Sequence, residues 1–445
     1  MRTDLKFDHS MVEVRRERAI RLLIKLKREV VPGSSERNRV NIGLVIDRSG
    51  SMHGRKLEYV KEAAKNFIAQ MKDDDTVSLV SFDDKVTVDL PAAPVKEHSR
   101  VAGDVIGRMH PGGSTFLSGG YEAGVKPARK MLKEEITSRV ILLTDGEANV
   151  GETRLEALTG LAAAFQQNGV STSTVGVGEG FNEQLLGAMA EAGQGNTYYI
   201  ETPEEAHSVF EEELGYLMQI GARNVTVSFY PVIPGVALGQ FNKYREQEPG
   251  KFLIGDLFGG RQRTLLLELG VPAQSQTGRL RLGEVQVNYT LIDGENVTGH
   301  SETFPLEVEV VQPGVIENVR PDLEVTKMLC NHIIAKIKED VLMLLERGDY
   351  DRAAALVRET VARLRGFGIE DAELEREILD LQERSDMIAE YRHEYYIRDK
   401  KRLYYESSNV MSGKIFSNVL MEERRRSSGF DPLDEMKRLF RRKKS

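Results

Sequence analysis

Three short oxygen-rich segments stand out in this sequence. The first is Asp47-Arg48-Ser49-Gly50-Ser51, in which one carboxylate and two hydroxyls recur at every second residue. Gly50 lets the loop turn tightly enough for both hydroxyls to point the same way. The second, Gly112-Gly113-Ser114-Thr115, offers the Thr115 hydroxyl, and the third, Leu143-Thr144-Asp145-Gly146-Glu147, offers the Asp145 carboxylate. Asp47, Ser49, Ser51, Thr115 and Asp145 thus form an oxygen-only set of two carboxylates and three hydroxyls. Hard oxygens of this kind suit Mg²⁺, which is held at about 2.0–2.1 Å and keeps part of its water shell. Taken singly, Asp47 or Asp145 reads as a helix cap or turn acid. The metal reading needs all three segments in one place.

The surrounding pattern supplies that place. Residues 42–46 are a short apolar run, the mark of a strand buried on both faces, and Asp47 follows it directly. Residues 139–143 are a second such run ending beside Asp145. Further strands are expected at 76–82, 86–90, 171–177 and 197–200. Helices are expected at 56–71, 100–109, 116–133 (with Pro127 a candidate kink), 154–168 with Gly169 past its C-cap, 183–191 and 203–220. Alternation of this kind implies a doubly wound, mostly parallel α/β sheet covered by helices on both faces. Ligand sites in such sheets lie at the carboxyl ends of the strands, where these loops fall.

The three loops, in this order and with this surrounding text, resemble the metal-ion-dependent adhesion site of von Willebrand factor type A domains. The resemblance covers roughly residues 40–220. It implies Mg²⁺ or Mn²⁺ held directly by Ser49 and Ser51, directly or through water by Thr115, and mostly through water by Asp47 and Asp145. It leaves one position for an Asp or Glu side chain of a protein partner. Arg48, Met52, His53, Ser114, Glu147 and Asn149 are expected to form the rim that such a partner meets. The resemblance also implies that partner engagement shifts the Thr115 loop and the last helix, 203–220, and so could be relayed onward. A looser likeness to bacterial intracellular scaffolds suggests a partner such as an AAA+ ATPase, a kinase or a modification system.

Flanking segments read differently. Strands are expected at 225–230, 251–254, 264–269, 279–291 and 303–311, punctuated by Gly and Pro, with a phase slip near Gly283 and Glu284 that suggests a bulge. Residues 19–31 show the same alternation. The α/β unit is therefore expected to be inserted in an antiparallel β-sandwich, with an α-helical C-terminal region after it. The boundaries are 1–38 for the first sandwich strands, 39–220 for the α/β domain, 221–315 for the rest of the sandwich, 316–400 for a helical hairpin region and 401–445 for a basic, partly disordered tail. A simple extension of the α/β sheet by the N-terminal strands is the alternative.

Composition narrows the function. Hydrophobic residues make up 40% and charged residues 29%, an ordinary globular balance. No apolar run reaches 18 residues, which excludes a membrane-spanning helix. The charged N-terminus argues against a secretory signal peptide. The one cysteine, Cys330, excludes an internal disulfide framework, and a reducing cytoplasm is the expected location. Net charge is −8, but residues 400–445 carry 13 Lys or Arg against 6 Asp or Glu, which leaves the body at −15. Such a body argues against general nucleic-acid binding. The basic stretch with Lys437, Arg438, Arg441, Arg442, Lys443 and Lys444 could touch an anionic surface or acidic partner. The expected function is non-enzymatic, Mg²⁺-dependent binding of a protein partner. The alternatives are a metal-dependent hydrolase or phosphatase, for which only His53 is a nearby base, and a nucleic-acid or membrane-surface scaffold acting through the tail.

Overall fold

The computed structural model describes residues 1–28, 39–133, 136–146, 148–178, 181–200, 209–211, 213–215, 217, 220–258, 262–293 and 296–413. The chain opens with β1 (Arg2–Phe7), β2 (Met11–Glu13) and β3 (Arg18–Lys27). The α/β unit follows as β4 (Val40–Asp47), α1 (Arg55–Gln70), β5 (Thr76–Phe82), β6 (Val86–Pro94), α2 (Val95–His98), α3 (Ala102–Gly107), α4 (Leu117–Lys130), β7 (Thr137–Thr144), α5 (Leu155–Gln167), β8 (Val170–Val177), α6 (Glu183–Ala192) and β9 (Gln194–Ile200). Of the expected last helix, residues 209–211, 213–215 and 217 are described and are helical, while Ile220 already starts a strand. The rest of that segment lies outside the described residues.

The central sheet runs in the order β6-β5-β4-β7-β8-β9, with only β5 and β6 antiparallel. Every residue of β4, β7 and β8 is buried, as expected of strands covered on both faces. One face packs on Leu57, Val60 and Phe67 of α1 and on Phe210 and Leu214 of the last helix. The other packs on Leu117, Tyr121 and Val125 of α4 and on Leu185 and Met189 of α6. Helix α4 lies so close to β4 that a Cβ at Gly124 would fall 2.1 Å from Val45 Cγ2. Asp75 lies just before β5. It is buried and holds the start of β4, accepting from the Val40 N–H at 3.1 Å and the Lys72 N–H at 2.8 Å.

The remaining strands are β10 (Ile220–Pro231), β11 (Ala237–Gln240), β12 (Arg245–Glu248), β13 (Lys251–Phe258), β14 (Gln262–Val271), β15 (Gly278–Asp293) and β16 (Asn296–Val311). They join β1–β3 in two sheets, β1-β3-β14-β11 and β12-β13-β10-β15-β16-β2, so strands from both sides of the α/β unit build one sandwich. Ile20, Leu22 and Ile24 of β3 share its core with Val225 and Val227 of β10 and Val285 and Val287 of β15. All pairs are antiparallel except β16 with β2. The expected bulge falls at Leu282, between the Arg281 and Gly283 partners of β16. The short strands β11 and β12 escaped the sequence reading, because Arg245–Glu248 is exposed throughout and carries no apolar alternation.

Among the described residues three helices follow: α7 (Leu323–Glu346), α8 (Tyr350–Arg365) and α9 (Ala372–Met411). Gly348, at φ +76°, turns the corner between α7 and α8. Cys330 sits in the core these helices share. Helix continues well beyond residue 401, where the basic tail was expected to begin. Leu403 and Met411 are buried, and Gly413 accepts the Thr264 N–H at 3.2 Å, so tertiary packing keeps a segment of modest hydropathy in place. Arg384 and Glu406 approach to 3.4 Å. A straight helix would hold residues 22 apart at about 33 Å, so the two arms of α9 double back on each other. The tail residues Lys437, Arg438, Arg441, Arg442, Lys443 and Lys444 lie outside the described residues.

Candidate functional site

The three oxygen-rich loops meet at the carboxyl edge of the central sheet. The first two are stitched together through their backbones: Gly112 N–H donates to Arg48 O at 2.7 Å, and Gly50 N–H to Gly113 O at 2.8 Å. The Thr115 N–H donates to Asn149 Oδ1 at 2.7 Å, while Thr115 O accepts from the Asn149 and Val150 N–H groups, which ties the second loop to the third. Gly112 is needed for this closeness, since a Cβ there would overlap the Asp83 carboxylate.

Within this frame Asp47, Ser49, Thr115 and Asp145 are buried and Ser51 is exposed. Asp47 uses both carboxylate oxygens on the protein. Oδ1 accepts the Ser49 N–H at 2.8 Å, and Oδ2 accepts the Thr144 hydroxyl at 2.6 Å. Burial nevertheless outweighs these donors and pushes the Asp47 carboxyl up to about 6, with the nearby Asp145 charge adding to the rise. The Ser49 and Ser51 hydroxyls face each other at 3.1 Å. Asp145 Oδ2 accepts from Lys56 Nζ at 3.1 Å, and Asp145 Oδ1 is buried with no hydrogen-bond partner. A buried carboxylate oxygen without a donor is costly unless something cationic or hydrogen-bonding meets it.

The donor chemistry suits a hard divalent cation: the candidate ligands are all oxygens, and Asp145 Oδ1 lacks a partner. No group of three or more His, Cys, Asp or Glu side chains is placed to hold a metal among the described residues. The candidate set is instead two carboxylates and three hydroxyls.

The expected rim is only partly a rim. Ser114, His53 and Asn149 are exposed, and Arg48 is about one-fifth exposed with its Nη2 3.2 Å from Asp83 Oδ2. Met52 is fully buried in the core beside Leu57, which corrects its assignment. It belongs to the short turn Gly50–Met52, whose chain direction sends this side chain under α1. Asn149 is more than rim, because its side chain positions Thr115. Glu147 lies outside the described residues. Sequence reasoning missed Lys56, Thr144 and Asp83. Thr144 sits beside Asp145 in the motif itself, but nothing in the spacing of Lys56 or Asp83 pointed to the loops they serve.

A family model for the von Willebrand factor type A domain matches residues 41–212. An uncharacterized protein of Synechocystis sp., sll0103, is 27% identical over 358 residues, covering 77% of this chain and 82% of the relative. The uncharacterized protein YfbK of Escherichia coli is 27% identical over 257 residues, 56% of this chain and 44% of its own length. The structure of a von Willebrand factor type A protein from Catenulispora acidiphila covers 85% of this chain and 95% of its own at a TM-score of 0.61 and 17% identity, a likeness of fold.

Proposed function

We propose that this chain, whose residues 41–212 are a von Willebrand factor type A domain, captures an acidic protein partner through a divalent metal held by its three loops. Domains of this family are protein-interaction modules, and no helix among the described residues is long and apolar enough to cross a membrane. Ser49, Ser51 and Thr115 would supply hydroxyl oxygens, and Asp47 and Asp145 carboxylates. Bound there, Mg²⁺ or Mn²⁺ supplies a Lewis-acidic position for a partner's Asp or Glu. The carrying observation is the buried, partnerless Asp145 Oδ1 amid converging oxygens. Asp47, with both oxygens already accepting protein hydrogen bonds, suits a role through water.

The reading is non-enzymatic. Both carboxylates are engaged, and metal hydrolysis needs a separate base poised at the open position. His53, the nearby base candidate, is exposed. We further propose a cytoplasmic scaffold in which sandwich and helices display the domain, with an AAA+ ATPase, a kinase or a modification system as candidate partner. Capture from host lysate tests this in three arms: wild type with Mg²⁺, wild type with EDTA, and Asp145→Ala with Mg²⁺. A partner retained only in the first arm supports the reading. Equal retention in all three overturns it.

A further inference from the structure

We propose that Lys56 is a fixed counter-cation of this site: it weakens divalent-ion binding and leaves the loaded site with a surplus positive charge that an acidic group neutralises. This rests on the metal-binding reading above and names what sets its preference for carboxylates.

Lys56 is the second residue of α1, and its Nζ lies 3.1 Å from Asp145 Oδ2. The contact is built rather than incidental. Asp145 is almost fully buried, whereas the Lys56 side chain keeps 29% of its exposure, so the amine sits at the mouth above the carboxylate. The lysine stem runs over the bare backbone of Gly178 at the end of β8, where φ is +77° and a Cβ would fall 2.5 Å from Lys56 Cε. The glycine leaves the room that the stem takes up, and the amine is carried to one oxygen of Asp145 while the other stays without a partner.

Charge counting gives the consequence. Asp47 and Asp145 contribute two negative charges, Lys56 one positive charge, and the three hydroxyls none. Arg48 is already matched by Asp83. A divalent ion therefore brings this group of residues to +1, and one carboxylate from a partner brings it to zero. Without Lys56 the loaded site would be neutral before the partner arrived and negative after. A like charge about 6 Å from a divalent ion weakens its binding by about tenfold even with the full screening of water. The same charge favours an incoming anion.

The test titrates Mn²⁺ calorimetrically into the full chain as wild type, Lys56→Met, Lys56→Arg and Asp145→Ala, each with and without acetate. Lys56→Met is expected to bind Mn²⁺ about tenfold more tightly than wild type, and to lose most of the tightening that acetate gives wild type. Lys56→Arg keeps the charge and should stay within about threefold of wild type on both readouts. In EDTA, Lys56→Met should melt below wild type, because Asp145 has lost its cation, and Mn²⁺ should close that gap. If Lys56 only orients Asp145 for the metal, Lys56→Met binds Mn²⁺ more weakly, and the proposal fails while the metal reading stands. Should wild type bind no Mn²⁺ better than Asp145→Ala does, the metal reading fails and this proposal with it.

Discussion

Asp47→Asn separates a metal ligand from a structural acid, because the two roles give opposite signs without metal. Asp47 is fully buried, and its carboxyl is raised from 3.8 to about 6, chiefly by burial. At 1.36 kcal/mol per pH unit, ionising it in the metal-free fold costs about 3 kcal/mol. The sign follows from the raised value: stability is fully present below pH 3.8 and is lost as pH rises through about 6. The near-isosteric amide removes that cost. It also turns an NH₂ toward the Ser49 N–H or the Thr144 hydroxyl, a mismatch costing roughly 1–2 kcal/mol. The net expectation in EDTA at pH 7.5 is a gain of about 1–2 kcal/mol, or roughly 2–8 °C in melting temperature for a domain of this size. Melts with EDTA from pH 4 to 8 should show this advantage growing with pH, vanishing near about pH 5 and reversing below it, where only the amide mismatch is left. With Mn²⁺ the order reverses, since wild type gains stability from the ion and the variant does not. An Asp47→Asn protein that melts below wild type in EDTA at every pH would refute the reasoning.

Four further outcomes follow. Mn²⁺ affinity of the wild type should fall as pH drops through about 6, approaching tenfold per pH unit, because Asp47 must give up its proton to serve an ion; a flat titration between pH 5 and 7.5 would contradict this. Glu213→Gln should lower the urea midpoint by the equivalent of about 3–5 kcal/mol, since it leaves the fully buried Arg139 without its carboxylate 2.8 Å away. Gly124→Ala should cost about 1–3 kcal/mol in the same assay, as its Cβ would overlap Val45 and push α4 off β4. Gly187→Leu should speed hydrogen exchange at residues 403–411, because Tyr404 packs directly on the bare Gly187 backbone of α6.

What the sequence made legible follows from how each feature is encoded. The fully buried strands β4 and β7 announce themselves as apolar runs, and the loops carrying Asp47 and Asp145 follow them directly. The sandwich strands showed through alternation, including β3, far in sequence from its neighbour β14. Exposed Arg245–Glu248 had no pattern to read, because its pairing with β13 satisfies backbone groups and buries no side chain. The helix beyond residue 401 was hidden because tertiary contacts, not hydropathy, hold it. Glu406 meets Lys338 at 2.7 Å and Arg384 at 3.4 Å, partners that no local window brings together. Met52 was misplaced for the opposite reason: nearness in sequence to Ser51 suggested a shared surface, but a single tight turn sends the two side chains to different places.

The last helix of the α/β unit bears on whether occupancy of the loops could be felt elsewhere. Glu213 on that helix is buried and accepts from Arg139 Nη1 at 2.8 Å, Ser173 Oγ at 2.6 Å, Asn196 Nδ2 at 2.9 Å and Tyr198 Oη at 2.7 Å. These partners come from β7, β8 and β9, and Arg139, Ser173 and Asn196 lie toward the amino ends of those strands. The loops with Asp47 and Asp145 lie at the opposite, carboxyl edge. Any sliding of the helix along the sheet must therefore break four hydrogen bonds to one buried carboxylate or carry the strand starts with it, and burying that carboxylate unpaired is costly. A second connection leaves the loops by a different element. Asn182, the N-cap of α6, donates its N–H to Asp145 O at 3.2 Å, and the same helix presents Gly187 to Tyr404 of the C-terminal region. Hydrogen exchange with and without Mn²⁺ distinguishes the two. Protection that changes in α6 and at residues 403–411, with residues 209–217 unmoved, is what the Glu213 anchor requires. A change confined to residues 209–217 would mean that the anchor yields to the ion.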